Sequence, residues 1–258
     1  MIARVVPVPP GRVRSYANVN VTAAARKGSR APPRRARAGD AVVHSRETPP
    51  QGSPPVNPSS WLPLALAAAA GAAVAAHSLR LRKAGVEPWV LPLGDDAPGF
   101  LGRAFVGLVA VWAFVLVTWA IVPAWALRSL GAVPLLVGPG FAWAGIALML
   151  GGVVMVAMGQ RAMGKAWRVG IPTSDKPKLV TDGVFAWSRN PVFLGMMLAA
   201  GGVTLAIPHA LSLAALTGTY MALSVQIRLE EAYLESWLGE TFGAYARGVG
   251  RWFGRMKA

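Results

Sequence analysis

The chain has 258 residues, of which 54% are hydrophobic and only 14% are charged, yet its formal net charge is +15. This hydrophobic share excludes disorder for the bulk of the chain, because disordered segments are poor in apolar residues. The absence of cysteine excludes a disulfide scaffold, thiolate nucleophiles and Cys-ligated metal centres. We expect no nucleic acid partner, because basic nucleic-acid-binding faces lie on ordinary globular domains. The composition indicates a membrane protein.

The first 58 residues carry much of the positive charge. They hold ten Lys or Arg residues, two acidic residues and ten of the 21 prolines. They contain no apolar core of a secretory signal, and an Arg-rich, acid-poor segment is typical of an organelle transit peptide. Pro7, Pro9 and Pro10 break any early amphipathic helix, which favours a plastid over a mitochondrion. The alternative is a disordered basic tail that the protein retains.

Long uncharged runs then predict five membrane helices. A span needs about 20 apolar residues, and run length favours helices over a barrel, so we predict an all-α polytopic membrane protein. The last run is long enough for two short helices, and Pro208-His209 near its middle predicts a tight turn that makes a C-terminal helical hairpin. The predicted spans are Trp61–Leu79, Ala104–Leu127, about Phe141–Gln160, and the two halves of Asn190–Ile227.

Basic residues mark alternate ends of these helices. They follow the first, third and fifth helices and precede the fourth, whereas the loop between the second and third has only Arg128. The positive-inside rule then predicts that the basic ends share one face, towards the cytosol or stroma. We divide the chain into the N-terminal segment 1–58, N-terminal membrane helices at 59–135 and a second membrane domain at 136–258. The polar residues of the second domain should lie at the basic face.

Four short motifs in the second domain flank the predicted hairpin. They are Gly183-Val184-Phe185, then Arg189-Asn190-Pro191-Val192-Phe193-Leu194-Gly195, then Glu230-Glu231, and finally Gly239-Glu240-Thr241-Phe242-Gly243-Ala244-Tyr245. In their order and spacing they resemble the isoprenylcysteine carboxyl methyltransferase and phospholipid methyltransferase superfamily of integral membrane enzymes. The resemblance covers about residues 140–253. It implies a methyltransferase-like domain with S-adenosylmethionine as the cofactor.

The chain departs from the family pattern at three positions. The family has His where this chain has Asn190, and Tyr where it has Phe193 and Phe242. Asparagine keeps a hydrogen-bond donor and an acceptor but does not titrate near neutral pH, so Asn190 is not a general base. The departure bears on the substrate more than on the cofactor.

The resemblance also implies roles for individual residues. Arg189 suits the cofactor's carboxylate, and the two glutamates suit its amino group or a ribose hydroxyl. Aromatic rings could stack on adenine or lie beside the sulfonium, with candidates Phe185, Trp187, Tyr245 and Trp252. The predicted catalytic residues are Arg189, Glu230 and Glu231. The predicted cofactor-binding residues are Gly183, Asn190, Pro191, Gly195, Glu230, Glu231 and Tyr245, and we predict no metal site.

The implied acceptor is a lipophilic or lipidated molecule that reaches the site from the bilayer. Carboxyl O-methylation of an isoprenylcysteine-like substrate is favoured, because a carboxylate acceptor needs no base. The alternatives are a phospholipid or amine N-methyltransferase, a sterol-reductase-like enzyme that uses NADPH, and a non-catalytic membrane protein on the same scaffold. The sequence leaves the oligomeric state open.

Structural explanations compete with these roles. Arg189 at a membrane boundary could be a snorkelling anchor. Arg228 and Glu231 are three residues apart, which is the spacing of an intrahelical ion pair. Glycines within the helices favour close helix packing over ligand binding, at Gly145, Gly151, Gly152, Gly201 and Gly202.

Overall fold

The structure, a computed structural model, describes residues 60–88, 94–167 and 179–254, and in these ranges it is all-α. Within these residues, four helices are long and apolar enough to cross a membrane and a fifth apolar helix is shorter, so the predicted fold class is confirmed. The predicted transit peptide at 1–58 lies outside the described residues. In chain order the helices are α1 (Leu62–Lys83), α2 (Ala97–Ile121), α3 (Pro123–Ser129), α4 (Pro139–Met163), α5 (Pro191–Ala206), α6 (Ala210–Leu238) and α7 (Glu240–Gly248).

The second membrane helix begins and ends earlier than predicted. Asp96 caps α2, because its side chain accepts a hydrogen bond from the Gly99 N–H at 2.8 Å, and the helix therefore starts before Arg103 rather than after it. Val122 has non-helical dihedral angles (φ −136°, ψ 56°) and precedes Pro123, which opens the short helix α3. A proline disfavours helical geometry in the residue before it, so the predicted run through Leu127 is interrupted.

Glycines bring α4 and α5 into close contact. A Cβ on Gly145 would lie 2.5 Å from the Gly202 carbonyl oxygen, and one on Gly152 would lie 2.5 Å from the Gly195 carbonyl oxygen. The predicted packing role is therefore confirmed at Gly145, Gly152 and Gly202. A Cβ on Gly151 would meet nothing within 4 Å, so that glycine faces open space. This packing fixes α5 against the long helix α4.

The last membrane helix is longer than predicted. Helix α6 has 29 residues and continues through Arg228 and the glutamate pair to Leu238. The predicted end at Ile227 is wrong, because Arg and Glu are good helix formers and only Gly239, with φ +49°, ends the helix. Helix α5 has 16 residues, or about 24 Å, which is shorter than the roughly 30 Å hydrocarbon core.

The helices alternate in direction, and their contacts define two ends of the molecule. At what we call the turn end, the Val133 N–H donates to the Pro208 carbonyl at 2.9 Å and the Ala210 N–H to the Gly131 carbonyl at 2.7 Å. At the opposite end, called the basic end, the rings of His77 and Trp167 lie 5.4 Å apart. The basic end holds the C-termini of α1, α4 and α6 and the N-terminus of α5.

A buried apolar cluster lies between the two ends. It joins α2, α4 and α5 through Val115, Leu116, Met149, Val203, Ala206 and Ile207. The cluster takes residues from both sides of the predicted domain boundary at 135/136, which stays a prediction. Helix α6 is tied to α2 by the Trp112 indole N–H, which donates to the Thr219 hydroxyl at 3.0 Å.

Candidate functional site

The α5–α6 hairpin brings Arg189 and Glu231 together at the basic end. Arg189 Nη2 lies 3.3 Å from Glu231 Oε1, and the two side chains are only 11% and 12% exposed. Antiparallel helices joined by a tight turn place the start of the first beside the end of the second, so this contact confirms the predicted proximity of Arg189 and Glu231. A snorkelling anchor would extend its guanidinium to water, whereas Arg189 turns its own inward.

A second arginine also pairs with Glu231. Arg251, in the segment that follows α7, donates to Glu231 Oε2 from Nε at 2.9 Å and from Nη2 at 2.7 Å. These hydrogen bonds raise the pKa of the Arg251 guanidinium, so it stays charged. Arg251 is not among the predicted site residues, because it lies twenty residues beyond Glu231, outside α6 and its helical periodicity. Its only sequence signal was its place among the last basic residues of the chain.

Asn190 links the same residues through its amide group. Its Nδ2 donates to Glu231 Oε1 at 3.3 Å and to the Arg251 carbonyl at 3.0 Å. Its backbone N–H donates to the Ser188 hydroxyl at 3.1 Å. Asn190 is buried, and a side chain with two N–H donors suits a position between two acceptors. We call Arg189, Asn190, Glu231 and Arg251 the ionic cluster.

One side-chain nitrogen of Arg189 has no hydrogen-bond partner within the described part of the chain. Its Nη1 donates to the Ala246 carbonyl at 3.3 Å, and its backbone N–H donates to the Gly250 carbonyl at 3.0 Å. Its Nε is buried and has no acceptor among the described residues. Burying a polar group without a hydrogen bond costs free energy, so an added acceptor at this nitrogen would be stabilising.

Tyr245 lies near the ionic cluster, close enough to interact electrostatically with Arg189 and Glu231. Its hydroxyl donates to the Phe185 carbonyl at 2.7 Å. The pKa of Tyr245 is raised to about 12, mainly by burial. The nearby Arg189 opposes this shift, and Glu231 adds to it. The phenol is therefore protonated at neutral pH. The chain reaches Phe185 through a 3-10 turn that begins at Gly183, whose φ of +58° is accessible mainly to glycine.

Glu230 lies outside the ionic cluster, although it is adjacent in sequence to Glu231. Its Oε1 accepts a hydrogen bond from Gln226 Nε2 at 2.7 Å, one turn earlier on α6. Successive residues of an α-helix point about 100° apart, so only one glutamate of the pair faces α5. The alternative explanation, an intrahelical pair of Arg228 with Glu231, does not apply, because Arg228 donates to the Ser224 carbonyl and Glu231 pairs with Arg189 and Arg251.

Two predicted cofactor residues have packing positions. Pro191 is fully buried at the first position of α5, where its fixed φ suits a helix start. A Cβ on Gly195 would lie 2.6 Å from the Gly152 carbonyl oxygen, so Gly195 faces α4. Their proposed contacts with a cofactor stay predictions.

An apolar groove lies beside the ionic cluster. It has a volume of about 230 Å³ and is lined by Met155, Val184, Trp187, Ser188, Leu194 and Phe253. Ser188 is next to Arg189 in the chain, so the groove and the cluster share a border. Of the predicted aromatic candidates, Trp187 lines this groove, whereas Trp252 stacks on Tyr220 with ring centroids 6.2 Å apart.

The fold and these contacts define a helical membrane protein with a buried charged site at one end. Residues 141–241 match a family model described as phospholipid methyltransferase. That family belongs, with the isoprenylcysteine carboxyl methyltransferases, to the integral membrane methyltransferase superfamily, so the resemblance in the sequence is confirmed. No curated protein matches the chain. The family match indicates a membrane methyltransferase; it includes Arg189, Asn190 and both glutamates and ends before Tyr245 and Arg251.

Proposed function

We propose that the chain is an integral membrane methyltransferase that uses S-adenosylmethionine to methylate a lipophilic acceptor. The observation that carries the proposal is the ionic cluster, in which the largely buried Arg189 and Glu231 lie within the family-matched region and the more exposed Arg251 lies just beyond it. Buried charges are costly and are concentrated where a membrane protein binds charged ligands. A structural ion pair alone does not require the unpartnered Arg189 Nε.

The ionic cluster fits the methionine part of this cofactor. The free Nε of Arg189 suits a carboxylate, and a guanidinium binds carboxylates through its planar fork. Glu231 supplies a carboxylate for an amino group. When bound, the cofactor supplies a methyl group on a sulfonium, which is already activated for transfer. The residues of the chain then have to hold the two reactants in line and exclude water.

Carboxyl O-methylation of an isoprenylcysteine-like acceptor is favoured by the lack of a base in the ionic cluster. Asn190 does not titrate, Glu231 is neutralised by two arginines, and the Tyr245 phenol keeps its proton because its pKa is raised to about 12. A carboxylate acceptor is already an anion and gives up no proton on methylation. The apolar groove beside Ser188 is a suitable place for the acceptor's hydrocarbon part.

N-methylation of a phospholipid amine is the second candidate, and the description of the matched family favours it. An amine acceptor has to lose a proton. Glu230 is then the residue to accept it, because its hydrogen bond comes from the neutral Gln226 rather than from a guanidinium. The two candidates therefore differ in whether Glu230 is needed for the reaction.

Calorimetric titration of the detergent-solubilised protein tests the cofactor. We expect S-adenosylmethionine and S-adenosylhomocysteine to bind and NADPH not to bind. Binding of NADPH alone would support a sterol-reductase-like enzyme, and no binding of either adenosyl ligand would overturn the proposal.

Transfer of a labelled methyl group then identifies the acceptor. Vesicles containing a prenylated cysteine or phosphatidylethanolamine are offered in parallel. Mild base then distinguishes the products, because it hydrolyses a methyl ester and leaves an N-methyl group in place. We expect base-labile label with the prenylated cysteine, and unchanged activity in Glu230→Gln. Base-stable label that is lost in Glu230→Gln would instead support N-methylation.

We also propose that the protein resides in an organelle membrane, with a plastid favoured, because residues 1–58 have the composition of a transit peptide. N-terminal sequencing of the mature protein tests this. A mature chain that begins near residue 59 supports cleavage, and one that begins at Met1 contradicts it.

A further inference from the structure

Arg251 makes the shortest contacts in the ionic cluster. Its Nε and Nη2 bind the same carboxylate oxygen of Glu231, Oε2, at 2.9 and 2.7 Å. The other oxygen, Oε1, has longer contacts of 3.3 Å with Arg189 and Asn190. Arg251 therefore determines how the Glu231 carboxylate is turned, while Oε1 remains directed at the other two members of the cluster.

The backbone of Arg251 contributes as well. Its carbonyl accepts from Asn190 Nδ2 at 3.0 Å, so one residue orients both Glu231 and Asn190. The flanking turn is held in place on both sides, since the Arg189 N–H donates to the Gly250 carbonyl at 3.0 Å and the Gly254 N–H to the Trp187 carbonyl at 2.8 Å. The turn is tight, because a Cβ on Gly250 would lie 2.6 Å from the Phe253 carbonyl oxygen. Arg251 thus reaches Glu231 from a well-anchored backbone.

We infer that Arg251 is a positioning residue of the ligand site, which acts by holding the Glu231 carboxylate so that Oε1 faces Arg189 and Asn190. The inference rests on the proposed function and adds a residue outside the family-matched region. The planar guanidinium of arginine has two N–H groups with a fixed separation, which an ammonium does not have. Lysine therefore replaces the positive charge but not the pair of hydrogen bonds to Glu231. Arg251 is 39% exposed and does not have to be buried for this role.

Binding of S-adenosylhomocysteine to the detergent-solubilised full chain tests this inference. We expect Arg251→Gln to weaken binding by more than tenfold and Arg251→Lys to weaken it by a smaller but measurable factor of at least three. The matched control is Arg247→Gln, four residues earlier, whose guanidinium pairs with the exposed Glu240; it should stay within twofold of wild type. Thermal unfolding of each variant shows whether it is folded. If Arg251→Gln does not fold, the affinity of Arg251→Lys tests the inference.

A double-mutant cycle with Glu231→Gln separates positioning from a general structural role. If Arg251 acts through Glu231, Arg251→Gln should change affinity by less than twofold in the Glu231→Gln background. A full tenfold effect in that background would overturn the inference, as would wild-type or tighter affinity in Arg251→Gln or Arg251→Lys. If Glu231→Gln has no measurable affinity, the Arg251→Lys result decides. Failure of the wild-type chain to bind would instead overturn the proposed function itself.

Discussion

The two ends of the α5–α6 hairpin show two ways to satisfy polar groups inside a membrane protein. At the turn end, His209 Nδ1 accepts from the Ser212 N–H at 3.0 Å, and the Ser212 hydroxyl donates to the Ile207 carbonyl at 2.7 Å. All these partners lie within six residues of each other. At the basic end, Asn190 bonds to Arg251 and Arg189 to Ala246, so the partners are 61 and 57 residues apart. The side-chain hydrogen bonds of the hairpin are therefore local at the turn end, whereas at the basic end they join distant segments.

The charges follow the same division. The local cap at the turn end is built from neutral groups, whereas the ionic cluster holds two guanidiniums and one carboxylate. Buried nitrogens without a partner among the described residues occur at both ends: His209 Nε2 at the turn end, and His77 Nε2, Gln160 Nε2 and Arg189 Nε at the basic end. Of these, only Arg189 Nε belongs to a guanidinium that lies beside other charges. A neutral cap stabilises a helix start, while an assembled charged cluster can also bind a charged ligand.

The largest expected effect comes from removing the centre of the ionic cluster. Glu231→Gln leaves Arg189 and Arg251 without a counter-charge, and an unpaired buried charge costs about 3–5 kcal/mol. We expect more than tenfold weaker binding of S-adenosylhomocysteine and a lower unfolding temperature. Glu235→Gln, at an exposed residue one turn further along the same helix, is the matched control and should leave both unchanged. An equal effect of the two substitutions would contradict the special role of Glu231.

The second effect concerns the packing that supports both ends. Gly152→Val forces a side chain against the Gly195 carbonyl oxygen, where a Cβ alone would lie 2.5 Å away. Overpacking of this kind costs about 1–3 kcal/mol, so the free energy of unfolding should fall by that amount. The control is Gly151→Val, which meets open space. The measurement is thermal unfolding in detergent, and equal stability of the two variants would show that α4 and α5 separate easily.

A smaller effect on stability is expected at the turn end of the hairpin. Ser212→Ala removes the hydroxyl that bonds to the Ile207 carbonyl and to the His209 N–H. Loss of a helix cap costs about 0.5–2 kcal/mol of stability. Ligand affinity should stay within twofold of wild type, because the turn end lies at the opposite end of α5 from the ionic cluster. Asn190→Ala should do the reverse and weaken binding; a loss of affinity in Ser212→Ala would mean that the two ends are coupled.

The smallest effect belongs to Tyr245. Tyr245→Phe removes the hydrogen bond to the Phe185 carbonyl, which is worth about 0.5–1.5 kcal/mol. The pKa of Tyr245 is raised to about 12 in the folded chain, above its ordinary value of 10.0. Its contribution to stability is therefore fully present below the lower value and is lost as the pH rises towards the higher one. Between these pH values, wild type should lose more stability than Tyr245→Phe, and parallel pH profiles of unfolding would contradict this.

Much of the fold and part of the candidate site were predictable from the sequence. Uncharged runs predicted the membrane helices, and Pro208-His209 predicted the hairpin that places Arg189 beside Glu231. The helix boundaries were less predictable, because charge alone does not end a helix: α2 includes Arg103 and α6 includes Arg228. Capping at Asp96 and the positive φ of Gly239 decide those boundaries, and both depend on local backbone geometry.

Run lengths and turn residues were enough to predict the membrane character, the order of the helices and the hairpin. The membership of the ionic cluster depends instead on how the helices pack. Glu230 and Glu231 are chemically identical neighbours, and the packing of α6 against α5 selects which of them meets Arg189. Arg251 joins them because α7 and the turn after it fold back onto the hairpin. Contacts between segments so far apart in the chain have no periodic signal, and they exist only once the helices are packed.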